Sequence, residues 1–213
     1  MTKNTWLQFW NERYTKPEYA YGTAPNVFLK EQLEQLEKKG TILFGAEGEG
    51  RNAVYAAQMG WTVSAFDISE AGREKALQLA KKKEVQIDYQ VGELPDLQFE
   101  AAPFDAIALI YAHFPPALQS SYHRLLDTHL RIGGYIIFEA FGKNHLPYRM
   151  QNPKVGGPAD LAMLFSVEKL KSDFKNYNIH LLREEVIVLD EGSKHIGKGS
   201  VVRFVGQKME KTN

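Results

Sequence analysis

The residues with the clearest chemical potential lie between an early apolar run and the helix-forming stretch that follows it. Ile42-Leu43-Phe44-Gly45-Ala46-Glu47-Gly48-Glu49-Gly50-Arg51-Asn52-Ala53 reads as a strand, a turn of small residues and a helix start. Small residues there let the backbone bend sharply and come close to a ligand. Asp67 closes the next strand-like run, about 20 residues on, where a carboxylate can accept hydrogen bonds from both hydroxyls of a ribose. Turn and carboxylate together predict an adenosine-containing ligand at the carboxyl ends of the strands. No Gly-Lys-Ser/Thr follows the turn, so phosphoryl chemistry is not indicated.

Further along, His113 follows the fourth apolar run, and its ordinary pKa suits a general base. His145 and Arg149 lie on a Pro/Gly-rich stretch and suit an anionic acceptor or plain solvation. His195 falls in the last connection and is given no catalytic role. His123, His129 and His180 do not cluster, and no metal site is expected. The absence of cysteine removes disulfides, thiol catalysis and thiolate zinc sites, and fits a reducing cytoplasm. Basic and acidic residues balance at 26 each, without the basic excess of a nucleic-acid binder. Lys81-Lys82-Lys83 reads as a solvated helix end. The opening residues hold no apolar leader, and no run is long enough to span a membrane. A cytoplasmic protein is expected; oligomeric state is unreadable.

These residues need elements to hold them. A helix is predicted near Trp6 to Tyr14 and another over Asn26–Lys39. Strands over Thr41–Gly45, Trp61–Phe66, Val85–Val91, Phe104–Tyr111 and Tyr135–Phe141 alternate with helices over Arg51–Met59, Ser69–Lys83 and Pro116–Leu130, the last broken by Gly133-Gly134. Alternation of this kind means βαβ units and a parallel sheet. Residues 142–165 read as a long loop, a common form of functional cover. Ser166 caps a helix to Phe174. Strands Ile179–Leu189 and Ser200–Gln207 close the chain as antiparallel neighbours. The expected α/β fold is one domain over 1–213: a helical cap (1–40), a cofactor-binding core (41–141), then a lid loop and strand pair (142–213). Its sheet is doubly wound, seven-stranded and mostly parallel, with an antiparallel last strand, helices on both faces and an N-terminal helical lid.

Two cofactors fit the turn. Gly48-Glu49-Gly50-Arg51-Asn52-Ala53 matches the dinucleotide fingerprint G-x-G-x-x-A. Read from Ala46, the stretch gives A-x-G-x-G, similar to the first motif of the Rossmann-like methyltransferases. The little sequence left for a second domain, the closing strand pair and the aromatic N-terminal segment favour the second. The chain resembles the class I S-adenosylmethionine-dependent methyltransferases, in particular the tellurite-resistance and thiopurine group. That resemblance rests on Trp10-Asn11-Glu12-Arg13-Tyr14, Tyr19-Ala20-Tyr21-Gly22, the glycine-rich turn, Phe66-Asp67-Ile68-Ser69, Ile132-Gly133-Gly134-Tyr135 and Val202-Arg203-Phe204-Val205-Gly206.

The resemblance implies S-adenosylmethionine as cofactor. Ala46, Glu47 and Gly48 would line its methionine part, Asp67 would hold the ribose, and Ile68 would pack on the adenine. Gly92, Glu93 and Leu94 would flank the adenine edge, while Ile110 and Tyr111 would face the sulfonium and the acceptor. Trp10, Tyr14, Tyr19 and Tyr21 would wall the cofactor. Tyr111 and His113 are the catalytic candidates. The chain departs from the family pattern at Phe44, where an acidic residue is expected, and at Ala46, where glycine is; Glu47 offers a carboxylate from a shifted position. The expected acceptor is a small molecule: a thiol, a chalcogen oxyanion, an amine or a hydroxyl. A non-catalytic adenosyl-ligand-binding protein and a small NAD(P)-dependent oxidoreductase are the alternatives.

Overall fold

The computed structural model describes residues 3–210. Met1 and Thr2, which head the opening read above, and residues 211–213 lie outside the described residues. The elements run α1 (Lys3–Tyr14), α2 (Val27–Gln35), β1 (Thr41–Gly45), α3 (Arg51–Gln58), β2 (Thr62–Asp67), α4 (Glu70–Lys82), β3 (Asp88–Val91), β4 (Phe104–Ile110), α5 (Gln119–His129), β5 (Leu130–Phe141), α6 (Leu146–Gln151), α7 (Val167–Asp173), β6 (Tyr177–Glu191) and β7 (His195–Lys208). The sheet order is β3-β2-β1-β4-β5-β7-β6. Strands β1 to β5 pair in parallel, and β7 runs antiparallel to both its neighbours. Strand order reverses between β1 and β4, the crevice position for ligands in sheets of this type.

Alternating side chains of the central strands feed two cores. Leu43, Phe66, Ile107, Leu109, Ile136 and Phe138 meet Leu126 of α5, Leu170 of α7 and Phe174 just after it on one face. Ile42, Phe44, Ala65, Ala106, Ala108 and Ile137 meet Phe28, Leu33, Ala53 and Ala76 of α2, α3 and α4 on the other. Phe44 is fully buried, so the departure from an acidic residue is an ordinary core contribution of about 1.5–3 kcal/mol. Side-chain caps set the helix starts: Asn26 accepts from the Leu29 amide at 2.9 Å, Ser69 from Gly72 at 3.1 Å and Ser166 from Lys169 at 3.3 Å.

Several boundaries move. Helix α2 stops at Gln35, because Leu36 turns extended and the Lys39 ammonium takes the carbonyls of Leu33 and Leu36. Strand β3 starts at Asp88, since residues 83–85 finish α4 through bonds to Leu79 and Ala80. Gly133-Gly134 does not break a helix; α5 ends at His129 and both glycines lie inside β5, where pairing with β4 shifts register. The 142–165 stretch is a loop with α6 and three single-turn helices in it.

The last two strands are longer than the sequence suggests, 15 and 14 residues. Strand β7 pairs with β5 only up to Val201, opposite Phe141, the last residue of β5. Residues 195–199 pair with β6 alone, and Ser200 still accepts from the Gly142 amide at 3.0 Å. The tip of the β6–β7 hairpin therefore projects beyond the carboxyl end of β5, over the crevice side of the sheet. It docks on the segment after α1, where the Ser193 amide donates to the Ala20 carbonyl at 3.1 Å. Among the described residues no helix is long and apolar enough to cross a membrane.

Candidate functional site

The first half of the site is built locally. Beyond β1, Ala46, Gly48 and Gly50 all take left-handed backbone with φ of 52°, 61° and 83°. A Cβ at Gly48 would meet the Tyr14 hydroxyl at 2.5 Å, so both conformation and space require glycine there. Ala46 carries its Cβ in that region at a cost of about 1–2 kcal/mol. Asp67, at the end of β2, lies against the turn: one oxygen accepts from the Gly48 amide at 3.0 Å, the other from Ser69 at 2.9 Å. Burial pushes its pKa up to about 6 against those amide bonds. Each carboxylate oxygen has a second lone pair, so capacity for two ribose hydroxyls remains. Gly92 donates to the Asp67 carbonyl at 3.0 Å, which sets the β3 end beside it.

Glu47 is not the loose carboxylate expected at the methionine end. One of its oxygens accepts from the amides of Asn52 and Ala53 at 2.9 and 2.8 Å and so caps α3. Burial raises its pKa to about 7. Ile68, Gly92 and Glu93, expected at the adenine edge, are half-exposed. The side chains of Leu94 and Ile110 instead pack in the two cores, on opposite faces, which leaves only backbone to offer a ligand.

The aromatic segment divides. Tyr14, buried, is the ring that touches the turn, whereas Trp10 reaches it only by stacking on Tyr14 at 5.5 Å. Tyr19 donates to the Lys75 carbonyl at 3.0 Å, and Tyr21 packs on His195 with ring centroids 4.5 Å apart. Lys75 pairs with Glu49 and donates to the carbonyls of Lys16 and Glu18, while Glu49 accepts from the Ala20 amide at 2.8 Å. The turn thus anchors the chain that follows α1.

The second half is assembled from distant segments around Phe141. Its ring lies 4.8 Å from Tyr111, 6.0 Å from His113, 4.0 Å from His145 and 5.2 Å from His195. Tyr111 holds φ at 54°, a strain on the order of 1–3 kcal/mol for a bulky residue and a common mark of a working site. Its hydroxyl and Nε2 of His113 are buried without a geometric hydrogen bond. Burial, then the charges of Glu139 and Glu191, drive the Tyr111 pKa well above the phenol range. Burial takes His113 down to about 4, so it is neutral at pH 7 and a weak base; its Nδ1 meets the Met163 carbonyl at 3.3 Å.

His145 is fully buried rather than solvated, with Nε2 3.1 Å from the Gly156 carbonyl and Nδ1 3.3 Å from the Ser200 amide. Arg149 donates to the Gly157 carbonyl at 3.0 Å. Gly156 and Gly157 roof the cluster. A Cβ on the first would meet His195 at 2.8 Å, and one on the second Phe141 at 2.8 Å.

Sequence reasoning missed His195, Glu191 and Arg51. Nδ1 of His195 lies 2.8 Å from Glu191, which also accepts from Arg51 at 3.0 Å and, on its other oxygen, from Asn26 at 3.0 Å. Arg51 also donates to the Tyr21 carbonyl at 3.2 Å, and Arg13 to the Tyr21 hydroxyl at 2.5 Å. Asn26 bridges to Glu139, which pairs with Arg203. The only signal was the Arg after the turn and a Glu four residues before a His at a hairpin tip.

Residues 42–134 match the family model described as a methyltransferase domain. No curated protein matches the sequence. Similar solved structures include one from work on the conversion of a disulfide bond into a thioacetal group during echinomycin biosynthesis, at 15% identity, TM-score 0.75, covering 99% of this chain and 93% of that one. TehB from Haemophilus influenzae shares 15% identity at TM-score 0.67, over 95% of this chain and 66% of that one. Magnesium protoporphyrin IX methyltransferase from Synechocystis PCC 6803 with bound SAH shares 14% at TM-score 0.67, over 95% and 99%. At such identity these structures establish the fold, and the family match covers the strand–turn–helix that carries the cofactor chemistry. Residues 42–134 match a methyltransferase domain and lie within the Rossmann-like sheet that this chain shares with these solved structures.

Proposed function

We propose that this chain is an S-adenosylmethionine-dependent methyltransferase that acts on a small-molecule acceptor seated among Tyr111, His113, Phe141 and His195. The observation that carries the reading is the pair of buried polar atoms that no well-formed hydrogen bond satisfies, the Tyr111 hydroxyl and His113 Nε2, at the end of β4 and next to the turn after β1. Ala46, Glu47 and Gly48 would meet the methionine part through backbone, and Asp67 the ribose. Ile68 and residues 92–94 would frame the adenine. The cofactor supplies an electrophilic methyl group, so alignment and exclusion of water do most of the remaining work. Tyr111, with its proton firmly held, offers a hydrogen-bond donor and a ring face for positive charge. His195, Phe141 and His113 are nearly closed off from solvent, so access would require residues 153–163 or the hairpin tip to lift.

We further place the chain nearest the tellurite-resistance and thiopurine group, as one domain over 1–213 working in the cytoplasm, where thiols stay reduced. A second reading, ligand binding without turnover, draws on Ala46 in place of glycine.

Calorimetry with S-adenosylmethionine and S-adenosylhomocysteine, followed by methyl transfer to thiols, amines and chalcogen oxyanions, separates the two. Binding with turnover supports the first, and binding alone the second. Asp67→Ala should weaken binding by roughly 1.5–3 kcal/mol for each charged hydrogen bond lost. Unchanged affinity would remove Asp67 from the site.

A further inference from the structure

Three histidines surround Phe141, and their partners differ in a way that matters for proton transfer. His145 has both ring nitrogens engaged by backbone, a carbonyl on one side and an amide on the other. It is a structural post with nothing left for a ligand. His113 leaves Nε2 open, but its Nδ1 faces a carbonyl and no carboxylate lies on it. A proton taken there would create an uncompensated buried cation. His195 alone sits on a carboxylate. Glu191 holds Nδ1 at 2.8 Å, while Arg51 and Asn26 fix both oxygens of that carboxylate.

Burial works against the charge on Glu191, yet the His195 hydrogen bond and the Arg51 charge hold its pKa down to about 2. An ionised acceptor at Nδ1 sets the tautomer: the proton stays on Nδ1 and the lone pair is on Nε2. No described residue bonds Nε2 of His195. Its ring lies 4.6 Å from Tyr111 and 4.5 Å from Tyr21.

On the methyltransferase reading above, we propose that His195, oriented by Glu191, is the base that takes the proton of a thiol acceptor. The S–H bond breaks and its proton passes to Nε2. The sulfur electron pair forms the new S–CH3 bond as the sulfonium–methyl bond breaks, which leaves a thioether, S-adenosylhomocysteine and an imidazolium facing Glu191.

The surroundings select the acceptor class. The groups facing His195 are Glu191 from β6, Arg51 from α3, Arg13 from α1, Tyr21 from the following segment, Tyr111 and His113 beyond β4, and His145 beyond β5. Glu139, one step away, is already matched by Arg203 and Asn26. Two guanidiniums against one carboxylate favour an acceptor that passes through an anion and disfavour an ammonium. A hydroxyl is too weak an acid for a histidine to deprotonate, whereas a thiol, with pKa near 8.5, is far closer to imidazole; burial lowers His195 below the usual imidazole range, and the Glu191 hydrogen bond and charge oppose that shift. A chalcogen oxyanion brings no proton that needs removal.

The test uses the full chain with S-adenosylhomocysteine bound and reads the imidazole nitrogens by 15N NMR. The signal lost in His195→Gln should show Nδ1 protonated and Nε2 bare at neutral pH; the opposite tautomer overturns the proposal. Kinetics use two probes, 2-mercaptoethanol and 4-nitrothiophenol, the second already ionised at neutral pH. His195→Gln should lower kcat/KM for 2-mercaptoethanol by about 10²–10⁴. It should change that for 4-nitrothiophenol, and the affinity for S-adenosylhomocysteine, by less than about threefold. Glu191→Gln, which keeps an acceptor at Nδ1 without the charge, should show a smaller loss of the same pattern and serves if the first variant does not fold. Equal losses on both thiols mean a structural role and overturn the proposal, as does turnover of selenite alone or of neither thiol. If the wild type fails to bind S-adenosylhomocysteine, the methyltransferase reading falls and this inference with it. Binding with uniform losses sinks this inference only.

Discussion

The two halves of the site are built by opposite means. The half proposed for the cofactor is nearly continuous in the chain: β1, a turn with three left-handed residues, an α3 start capped by Glu47, and Asp67 at the end of the neighbouring strand. The half proposed for the acceptor draws Arg13, Arg51, Tyr111, Phe141, Glu191 and His195 from six separate segments. A turn of fixed backbone geometry suits a cofactor whose shape never varies. An assembly of side chains on a projecting hairpin and a glycine roof suits an acceptor that differs between related enzymes.

Each half also rests on its own buried ion pair, Lys75–Glu49 beneath the turn and Arg51–Glu191 above β4. Removing one partner of such a pair leaves an uncompensated charge and costs about 3–5 kcal/mol. Arg51→Ala and Lys75→Met should both lower the urea midpoint on that scale. Their functional effects should separate: Lys75→Met weakens cofactor binding through the displaced turn and the 16–20 segment, and Arg51→Ala lowers turnover with cofactor affinity kept. If both variants lose cofactor and turnover in equal measure, the two halves are one cooperative unit and the contrast fails.

Acid should act on the halves in opposite directions. Burial raises Glu47 from 4.5 to about 7 and Asp67 from 3.8 to about 6. The folded state therefore binds more protons than the unfolded one over that window. The stability from these groups is full below about pH 4 and is lost as pH rises through 6 to 7. Burial lowers His113 from 6.5 to about 4. Its contribution is full above 6.5 and is lost as pH falls toward 4. Each shift is worth on the order of 3 kcal/mol. Unfolding free energies of Glu47→Gln, measured from pH 4 to 8, should gain on wild type as pH rises; those of His113→Asn should gain as pH falls. Parallel curves for wild type and variants would show that these groups titrate normally. Cofactor affinity should strengthen as pH rises through 6, because a ribose needs the ionised Asp67.

The same contrast explains what the sequence disclosed. The parallel core and the Ser69 and Ser166 caps were legible because strand, turn and helix signals are local. The carboxylate after β2 was legible by its distance from the turn. Gly133-Gly134 misled because a glycine pair looks the same in a helix break and in a strand irregularity. Trp10 and Tyr14 share a helix, and only packing decides which ring reaches Gly48. His195 was invisible as a site residue: its place depends on β7 running past the end of β5, which the pattern of apolar residues does not reveal. Glu47 fell between these cases, since its sequence position was clear but its use as a helix cap depends on the turn's backbone.

The smallest expected effect lies at Ala46, where the cofactor half departs from the glycine its pattern calls for. Ala46→Gly removes a Cβ from φ of 52°, a relief of about 1–2 kcal/mol. Part of it is offset by the greater freedom glycine gives the unfolded chain, about 0.4–1 kcal/mol. The net gain should be no more than about 1.5 kcal/mol in denaturant unfolding, and cofactor affinity should hold or rise slightly because the amides of the turn keep their directions. A loss of affinity in that variant would mean that the Ala46 methyl, partly buried against the core of Leu43 and Leu109, contributes packing to the ligand side. The turn would then depend on a side chain just as the acceptor half does, and the division between backbone-built and side-chain-built halves would have to be redrawn at its first residue.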